Sequence, residues 1–573
     1  MSEVCSATFD IELQSELVGA LNEVDATRLM DTVEAICTGE RLSNAAENAS
    51  FTRMRALYDA CGCQTHIEHL LGYVSTPEQA QLAFNGQSFP AITHAMTPSV
   101  SQLSADTVYV PVGLIATIKP DIVAGKIVLT DGLAMEPAVR ALQKKKALGA
   151  VFITGQFVHN MIVSRVWGSP TPETMHDYVE IPVVSVSYDD GQKIKALVER
   201  GAKALMTTVT HARWVEIPVL VAELGDCSQE FVMVTGHNDS WHMGAMDNAS
   251  GNACAIELAR IFSTRQSDMK RGLRFVTWSG HSHGRYAGST AYCDEHYPEL
   301  YEKCVLNINA DCLGGCGAAL LTQSPAMACT DDLARAALKI AAGVTDWEGT
   351  RFSRSCDQSF WGAGVPSIFS QVSEQPPVQT TAAKAFQAMF GGAKSGGYGY
   401  WWHSTEDTID KLDPQNLKRD TQIFLVTAWL AVVDAYLPVN AVSEAKELLD
   451  RIGHWQKIGE SAVDLTHVIS QLKGIVAGLE TLEEGVRGAK VAVSLRNRIV
   501  HAVLRELIAL RYVKGSIYKH DLASRQKDVP MLSMIDDFND SVDEHYRNCI
   551  RIALKREVNR MTMSLMRARK ALA

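Results

Sequence analysis

The densest cluster of side chains able to bind a metal ion follows the strand-like run Phe231–Thr235. It reads GHNDSW over 236–241 and GAMDNASG over 244–251. A histidine at a strand end, with a carboxylate two residues later, is typical of a metal ligand whose ring that carboxylate orients. Asp247 opens the next predicted helix, where a carboxylate can bridge two cations, as in hydrolytic two-metal sites. A helix-capping role explains Asp247 taken alone, but the whole cluster favours a metal site.

Two histidines follow the next strand-like run, which ends at Trp278. The sequence there is SGHSHGRYAGS over 279–289, so that His281 and His283 flank a serine. Neutral imidazole binds zinc, iron, nickel and copper well, and it exchanges protons near neutral pH. Each of these histidines is therefore a candidate metal ligand or a candidate general base.

Strands must alternate with helices to bring these residues together, and the region from about 213 to 440 has that pattern. The alternating runs are Phe231–Thr235, Ala249–Ser263, Leu273–Trp278 and Val305–Asn309. Such alternation predicts an α/β fold, a mostly parallel sheet covered by helices on both faces. Ligand groups in such sheets lie in loops at the carboxyl ends of strands. Asp311 follows a strand in this way, and His403 begins the run HSTEDT near the end of the region.

Three other segments flank or precede this region. Residues 1–95 are mainly helical in pattern, residues 96–212 contain short β-branched runs bounded by Gly, Pro and Asp, and residues 441–573 are almost wholly helical. The main helical runs are Leu13–Cys37, Ala45–Ala60, Glu136–Leu148, Gly191–Arg200, Arg496–Leu510 and Ser541–Leu572. The strand-like runs are His66–Val74, Thr107–Val112, Ile127–Leu129, Ala150–Ile153, Val183–Val186 and Ala204–Thr208.

Composition limits the class of protein and its compartment. A net charge of −11, spread along the chain, argues against nucleic acid as a partner. Met1–Asp10 lacks the basic start and apolar run of a signal peptide, and Ile423–Val433 is too short to span a membrane. The 13 cysteines are an odd number and are scattered. Reduced thiols in a cytoplasmic protein are therefore expected.

The motif HNDS followed by DNASG closely resembles the co-catalytic zinc aminopeptidase and glutamate carboxypeptidase superfamily, which includes the transferrin receptor, a member without peptidase activity. The resemblance implies that His237 binds one metal ion, that Asp239 orients His237, and that Asp247 bridges two ions. It further implies that Asp311 joins His237 and that His403 binds the other ion.

Residues 96–212 resemble a protease-associated domain in AGKIVL at 124–129 and IPVVS at 181–185. Such domains are typically inserted beside the active site of a peptidase. The expected organisation is an N-terminal helical segment (1–95), this β-rich insertion (96–212), a metallopeptidase-like catalytic domain (213–440) and a helical C-terminal domain (441–573).

The family's two consecutive glutamates, its general base and a metal ligand, are missing after Trp278. Counting forward from Trp278 aligns His281 and Ser282 with them, whereas counting back from Ser289 aligns Ser282 and His283. Three interpretations remain open. Histidines replace both glutamates; or the site binds metal but acts on an amide that is not a peptide; or the domain has lost hydrolysis and serves as a binding module.

We expect a metal-dependent hydrolase of an amide or short-peptide bond that acts through a metal-activated water. His283 is the expected replacement ligand, His281 the expected general base, and Tyr400 a candidate oxyanion donor, with Tyr398 nearby. One or two divalent ions are expected, zinc first, with Fe, Mn, Ni or Co as alternatives. The expected partners are a small amide or peptide substrate and a second copy of the chain, bound through the C-terminal helices. No nucleic-acid or membrane partner is expected. The alternative function is a non-catalytic metal- or ligand-binding homologue.

Overall fold

The computed structural model describes residues 15–352, 356–377, 397–523 and 526–573. Its strands are β1 (Gln64–Phe84), β2 (Gln87–Phe89), β3 (Ile92–Thr93), β4 (Val100–Tyr109), β5 (Ile127–Asp131), β6 (Gly149–Ile153), β7 (Val183–Val186), β8 (Lys203–Leu224), β9 (Phe231–His237), β10 (Gly272–Trp278), β11 (Cys304–Asn309), β12 (Pro325–Ala326), β13 (Thr350–Arg351) and β14 (Ser367–Ile368). Over the described ranges they form a 14-stranded mixed sheet.

The described helices lie before, between and after these strands. They are α1 (Ser15–Glu23), α2 (Ala26–Ile36), α3 (Ala45–Ala60), α4 (Pro120–Val123), α5 (Glu136–Lys144), α6 (Tyr188–Glu199), α7 (Gly251–Ser263), α8 (Ala287–Glu295), α9 (Tyr297–Lys303), α10 (Asp331–Ala342), α11 (Pro414–Val432), α12 (Ala441–Ile458), α13 (Thr466–Arg487), α14 (Val493–Tyr512), α15 (Met534–Asp540) and α16 (Glu544–Leu572).

The centre of the sheet has the predicted parallel arrangement. Strands run in the order β14-β11-β9-β10-β8, and β9 pairs in parallel with both β10 and β11. Every residue of β9, β10 and β11 is buried, as expected of parallel strands covered by helices on both faces. The prediction of an α/β fold with a mostly parallel mixed sheet is therefore confirmed. The carboxyl ends of β9, β10 and β11 lie at one edge, where the candidate ligands follow.

The structure contains a long two-stranded ribbon, and the sequence pattern predicts only short parts of its two strands. The extended runs predicted at 66–74 and 204–208 are parts of β1 and β8, which pair antiparallel from Gln64↔Glu223 to Phe84↔Ala204. Pairing along the whole ribbon, with Tyr73 packed 5.2 Å from Trp214, keeps residues extended whose local sequence is not strand-like. β8 also pairs with β4 and β10, so it runs through the predicted boundary at 212/213.

The β-rich region before β8 contains its own parallel unit. β4, β5, β6 and β7 pair in parallel in that order. α4 connects β4 to β5, α5 connects β5 to β6, and α6 leads from β7 to β8. The predicted strand positions in this region agree with the structure to within a few residues, except that β4 begins earlier, at Val100. The three boundaries between the predicted domains, and the likeness of this unit to a protease-associated domain, stay predictions.

Helix ends follow capping residues that the periodicity alone did not locate. The predicted run Leu13–Cys37, whose first two residues lie outside the described ranges, is divided into α1 and α2. Asp25 accepts a hydrogen bond from the Arg28 backbone N–H and thereby begins α2. In the same way Asp543 begins α16, a few residues after the predicted start.

The helical C-terminal part buries the apolar stripe that its sequence predicts. Along α13 the buried apolar residues are Val468, Leu472, Ile475, Leu479 and Leu482. They pack in one core with α12, α14 and α16. The run Ile423–Val433 belongs to the buried α11, and no helix within the described ranges has the length and apolarity needed to cross a bilayer.

Replacing Gly251 by alanine is expected to lower the free energy of unfolding by about 1–3 kcal/mol. A Cβ at this position would lie 2.5 Å from the carbonyl oxygen of Ala310, and a main-chain atom cannot rotate away. Gly474→Ala in α13 is the matched control. No atom lies within 4 Å of its added methyl group, and it should stabilise the helix by about 0.5–1 kcal/mol. Urea unfolding of both variants provides the measurement. Equal or increased stability of Gly251→Ala would contradict this close packing.

Candidate metal centre

Loops at one edge of the sheet bring the candidate ligands together. His237 is the last residue of β9, Asp247 lies in the turn before α7, and Asp311 follows β11 by two residues. His281 follows β10, which pairs with β9, and His403 comes from the loop before α11. The parallel order of β10, β9 and β11 is what places these loops side by side.

The atoms of this cluster are spaced like ligands of a common ion. His237 Nε2 lies 3.2 Å from Asp247 Oδ1 and 3.5 Å from Asp311 Oδ1. His403 Nε2 lies 3.0 Å from the other oxygen of Asp247, Oδ2. With metal–ligand bonds of about 2.0–2.1 Å, neighbouring ligand atoms of a tetrahedral site are about 3.3 Å apart. Asp247 thus presents one oxygen to each histidine, as a bridging carboxylate does.

The orientation of these atoms also fits a metal ion better than hydrogen bonding. His237 Nε2, Asp247 Oδ1 and Asp311 Oδ1 are buried and make no hydrogen bond among the described residues, although they nearly touch. Buried polar atoms are normally paired, because leaving them unpaired costs about 1–3 kcal/mol each. Three such atoms directed at one point fit a divalent cation with N/O ligands.

The carboxylates around His237 favour a positive charge at this position. Burial opposes protonation of His237, but the carboxylates of Asp247 and Asp311 outweigh it and raise the pKa of this histidine well above its usual value. Burial likewise works against ionisation of Asp247, yet His237 and His403 lower the pKa of that carboxyl. The two carboxylates therefore stabilise positive charge between them, whether from an imidazolium or from a metal ion.

Main-chain carbonyls hold both histidines with Nε2 facing the site. His237 Nδ1 contacts the Asp239 carbonyl oxygen at 2.8 Å, and His403 Nδ1 contacts the Asn160 carbonyl oxygen at 2.8 Å. Each Nδ1–H donates to its carbonyl, which leaves Nε2 available as a ligand. Asn160 belongs to the region between β6 and β7, so the β-rich region takes part in orienting His403.

Asp239, predicted to orient His237, contacts that histidine through its main chain. Its carbonyl, rather than its carboxylate, accepts the hydrogen bond from His237. The carboxylate accepts the backbone N–H groups of His281 at 3.0 Å and Ser282 at 2.6 Å, and it contacts His283 Nδ1 at 3.1 Å. Asp239 therefore anchors the loop after β10 to the loop after β9.

His281 lies at the ligand cluster and is paired with a carboxylate. Its Nδ1 lies 2.8 Å from Asp357 Oδ2, and its ring stacks on His237 with centroids 3.7 Å apart. One ligand atom each from His237, His281 and Asp311 lie within 4.8 Å of one another. No role was predicted for Asp357.

His283, predicted as a metal ligand, is turned away from the cluster. The side chain is fully buried, its Nδ1 faces Asp239, and its Nε2 lies 2.7 Å from Ser43 Oγ. Both ring nitrogens are thus engaged, and the structure does not bring this histidine to the ion position. His281 and His283 thus have different partners, Asp357 for the former and Asp239 with Ser43 for the latter.

Tyr400, predicted as an oxyanion donor, is not gathered into the buried cluster either. Its side chain is 48% exposed and stacks on Phe157. Tyr398 is buried, and burial together with nearby Cys356 and Cys312 raises the pKa of its hydroxyl well above the usual value. Of the two tyrosines, Tyr398 is the one whose surroundings include the site, since Asp311 also contributes to this shift.

Other residues around the ligands were not anticipated. Asp407 accepts the N–H groups of Met246 at 2.9 Å and Asp247 at 3.1 Å, and burial and the nearby Asp247 raise its pKa to about 7. Cys312 is buried, and one ligand atom each from Cys312, Asp247 and Asp311 lie within 4.8 Å of one another. The HSTEDT motif contains Asp407, but its sequence does not indicate which backbone atoms it binds.

Comparison with known proteins gives a consistent result. Residues 219–428 match the sequence model of Peptidase family M28. The chain is 25% identical over 248 residues to probable leucine aminopeptidase 2 of Aspergillus fumigatus, covering 42% of this chain and 47% of the relative. The first three curated relatives are matched over 29%, 47% and 57% of their own lengths, which is less than two thirds of each.

Solved structures share the fold at low sequence identity. The zinc aminopeptidase of Bacillus subtilis superimposes with a TM-score of 0.54 at 16% identity, covering 72% of this chain and 95% of the other. A Peptidase M28 precursor from Shewanella amazonensis superimposes with a TM-score of 0.57 at 18% identity, covering 73% and 96%.

Zinc binding is expected to stabilise the protein, by about 2.7 kcal/mol when free Zn²⁺ is 100 times its Kd. Asp247→Asn should remove most of this effect, because it replaces the carboxylate that faces both His237 and His403. Asp410→Asn is the control, since that carboxylate is 67% exposed and pairs with Lys411. Thermal unfolding with and without Zn²⁺ tests this. An equal zinc-induced shift in Asp247→Asn and the parent would argue against the site.

Proposed function

Because residues 219–428 carry a Peptidase M28 domain, we propose that this chain is a metal-dependent hydrolase that cleaves an amide or short-peptide bond. The observation that carries the proposal is the convergence of unpartnered His237 Nε2, Asp247 Oδ1 and Asp311 Oδ1 beside His281. These residues would hold a divalent ion, zinc first. When bound, such an ion polarises a carbonyl and makes a water molecule acidic.

We assign the general base to the pair His281–Asp357, in place of the family's glutamate. Asp357 accepts the Nδ1–H of His281, which fixes the tautomer and leaves Nε2 free to take a proton. His281 Nε2 would accept the proton of the attacking water and return it to the leaving amine. The nearness of His281 to His237 and Asp311 supports this role.

His281 can instead serve as a further ligand, and the two roles differ in one measurable respect. A ligand is needed for metal affinity, whereas a base is needed mainly for turnover. The pairing with Asp357 suits either role, because a carboxylate on Nδ1 also supports a ligating imidazole. Metal content and turnover therefore have to be measured on the same variants.

We propose a single tightly held ion, with a second one weaker. The first position has three ligands in His237, Asp247 and Asp311. A second position is bounded by Asp247 Oδ2 and His403 Nε2. His283, the predicted third ligand there, is bound to Asp239 and Ser43 instead. Zinc titration monitored by calorimetry gives the number of ions bound.

We also propose association of two copies through the C-terminal helices and a cytoplasmic location. Ile552, Met563 and Met566 of α16 are each more than half exposed, and exposed apolar side chains in proximity support a contact surface. Cysteines within the described ranges are free thiols, which suits a reducing compartment. Light scattering from the full chain measures the association.

His281→Ala and Asp357→Asn are expected to lower kcat/KM by about 10²–10⁴-fold, the usual contribution of general acid–base catalysis. Substrates for the assay are aminoacyl p-nitroanilides, dipeptides and simple amides. If His281 is the base, zinc content measured by elemental analysis stays at the parental level in both variants. If His281 is a ligand, its zinc content falls together with its activity.

Asp294→Asn is the matched control for this experiment. Asp294 forms a similar pair with His520, at 2.9 Å, but its side chain lies 64% exposed on the surface. Parental turnover by His281→Ala and Asp357→Asn would show that the base lies elsewhere. A parent protein that binds zinc but turns over none of these substrates would point to the non-catalytic alternative.

A further inference from the structure

We propose that Arg41 is a positioning residue for the metal centre, holding the loop between the ligands His237 and Asp247 in its binding geometry. The inference rests on the metal site of the proposed function. Arg41 lies between α2 and α3, well outside the matched residues 219–428. It is neither a ligand nor a residue that touches substrate.

The guanidinium of Arg41 binds the main chain of that loop at several points. Nε donates to the Asn238 carbonyl at 2.7 Å, Nη1 to the Met243 carbonyl at 2.8 Å, and Nη2 to the Gly244 carbonyl at 3.1 Å. Its side chain is fully buried. A planar group with five N–H donors matches several fixed acceptors at once, which a lysine cannot do.

The backbone of Arg41 adds a second attachment to the same loop. Its N–H donates to the Ser240 carbonyl at 3.4 Å, and its own carbonyl accepts the Ser240 N–H at 2.9 Å. Arg41 therefore contacts the loop just after His237, at its middle, and at the turn before Asp247. A displacement of either ligand along the loop would break these bonds.

Hydrogen bonds to Arg41 and Asp407 hold the two sides of the turn. Arg41 binds the carbonyls of Met243 and Gly244, while Asp407 binds the N–H groups of Met246 and Asp247. Gly244 between them has φ +55°, a left-handed conformation in which a side chain would be strained. The position of Asp247 thus depends on a guanidinium from one part of the chain and a carboxyl group from another.

Neighbouring residues of the N-terminal segment make further hydrogen bonds to the loop between His237 and Asp247. Cys37 Sγ donates to the Met243 carbonyl at 3.0 Å, and Glu40 accepts the His242 N–H at 3.1 Å. Ser50 Oγ donates to Asn238 Oδ1 at 2.8 Å. These contacts surround Arg41 and make the segment from α2 to α3 part of the support of the site.

Arg41→Lys is the principal test, because it keeps the positive charge but removes the planar set of N–H donors that binds several carbonyls at once. The expected result is zinc affinity weakened about 10- to 100-fold, the usual effect of changing a residue that orients a ligand. Affinity is measured by competition with a chelator on the folded protein. The visible absorption of the Co²⁺-loaded variant should also change, because the ligand geometry changes.

Arg496→Lys is the matched control. Arg496 is also buried, and it donates to the carbonyls of Leu437 at 2.7 Å and Val439 at 2.9 Å in the helical C-terminal part. The Arg496→Lys variant should have a lower unfolding temperature than the parent, with the same zinc affinity and the same Co²⁺ spectrum. If Arg41→Lys binds zinc with the parental Kd, as Arg496→Lys should, Arg41 has no positioning role.

Hydrogen exchange on the parent protein tests the same inference without a variant. Coupling between two sites is reciprocal, so zinc should slow amide exchange in peptides covering residues 39–43 as well as 238–247. Slowing confined to 238–247 would overturn the proposal. A parent that binds no zinc would instead refute the proposed function, so the two failures are distinguishable.

Discussion

Asp247 and Asp311 direct carboxylate oxygens at His237 in a place from which solvent is almost excluded. Such a group of buried charges is costly unless a cation compensates it. Most features around the edge of the sheet follow from this requirement. Carbonyl groups turn both ligand histidines so that Nε2 faces the carboxylates, and Asp407 holds the turn that carries Asp247.

The site is assembled from parts that are far apart in the chain. The candidate ligands come from the loops of the parallel sheet, but the carbonyl that contacts His403 belongs to Asn160, and the guanidinium that binds the His237–Asp247 loop belongs to Arg41. The ribbon of β1 and β8 ties these regions into one sheet with β10. A compact binding site of this kind therefore depends on segments outside the residues that match the family.

The loop after β10 places its two histidines in different surroundings. A carboxylate base and a carboxylate ligand are both absent from this loop, yet His281 faces the cluster and draws on Asp357 for its orientation. His283 meanwhile joins Asp239 and Ser43 beneath the loop. His281 thus lies at the candidate metal site, and His283 supports the loop that carries His281.

The hydrophobic pattern of the sequence was enough to predict the α/β sheet and the helical C-terminal part, and the resemblance of its motifs to a known family implied the grouping of His237, Asp247, Asp311 and His403. Hydrophobic periodicity reflects which faces are buried, and loops at the carboxyl ends of parallel strands must meet. Only the tertiary structure decided which way His281 and His283 point, and which partners Asp357 and Arg41 take. Those outcomes depend on contacts between residues up to 240 positions apart, for which local sequence carries no signal. The candidate ligands around His237 are thus predictable as a set of residues, whereas the residues that orient them are determined by the folded chain.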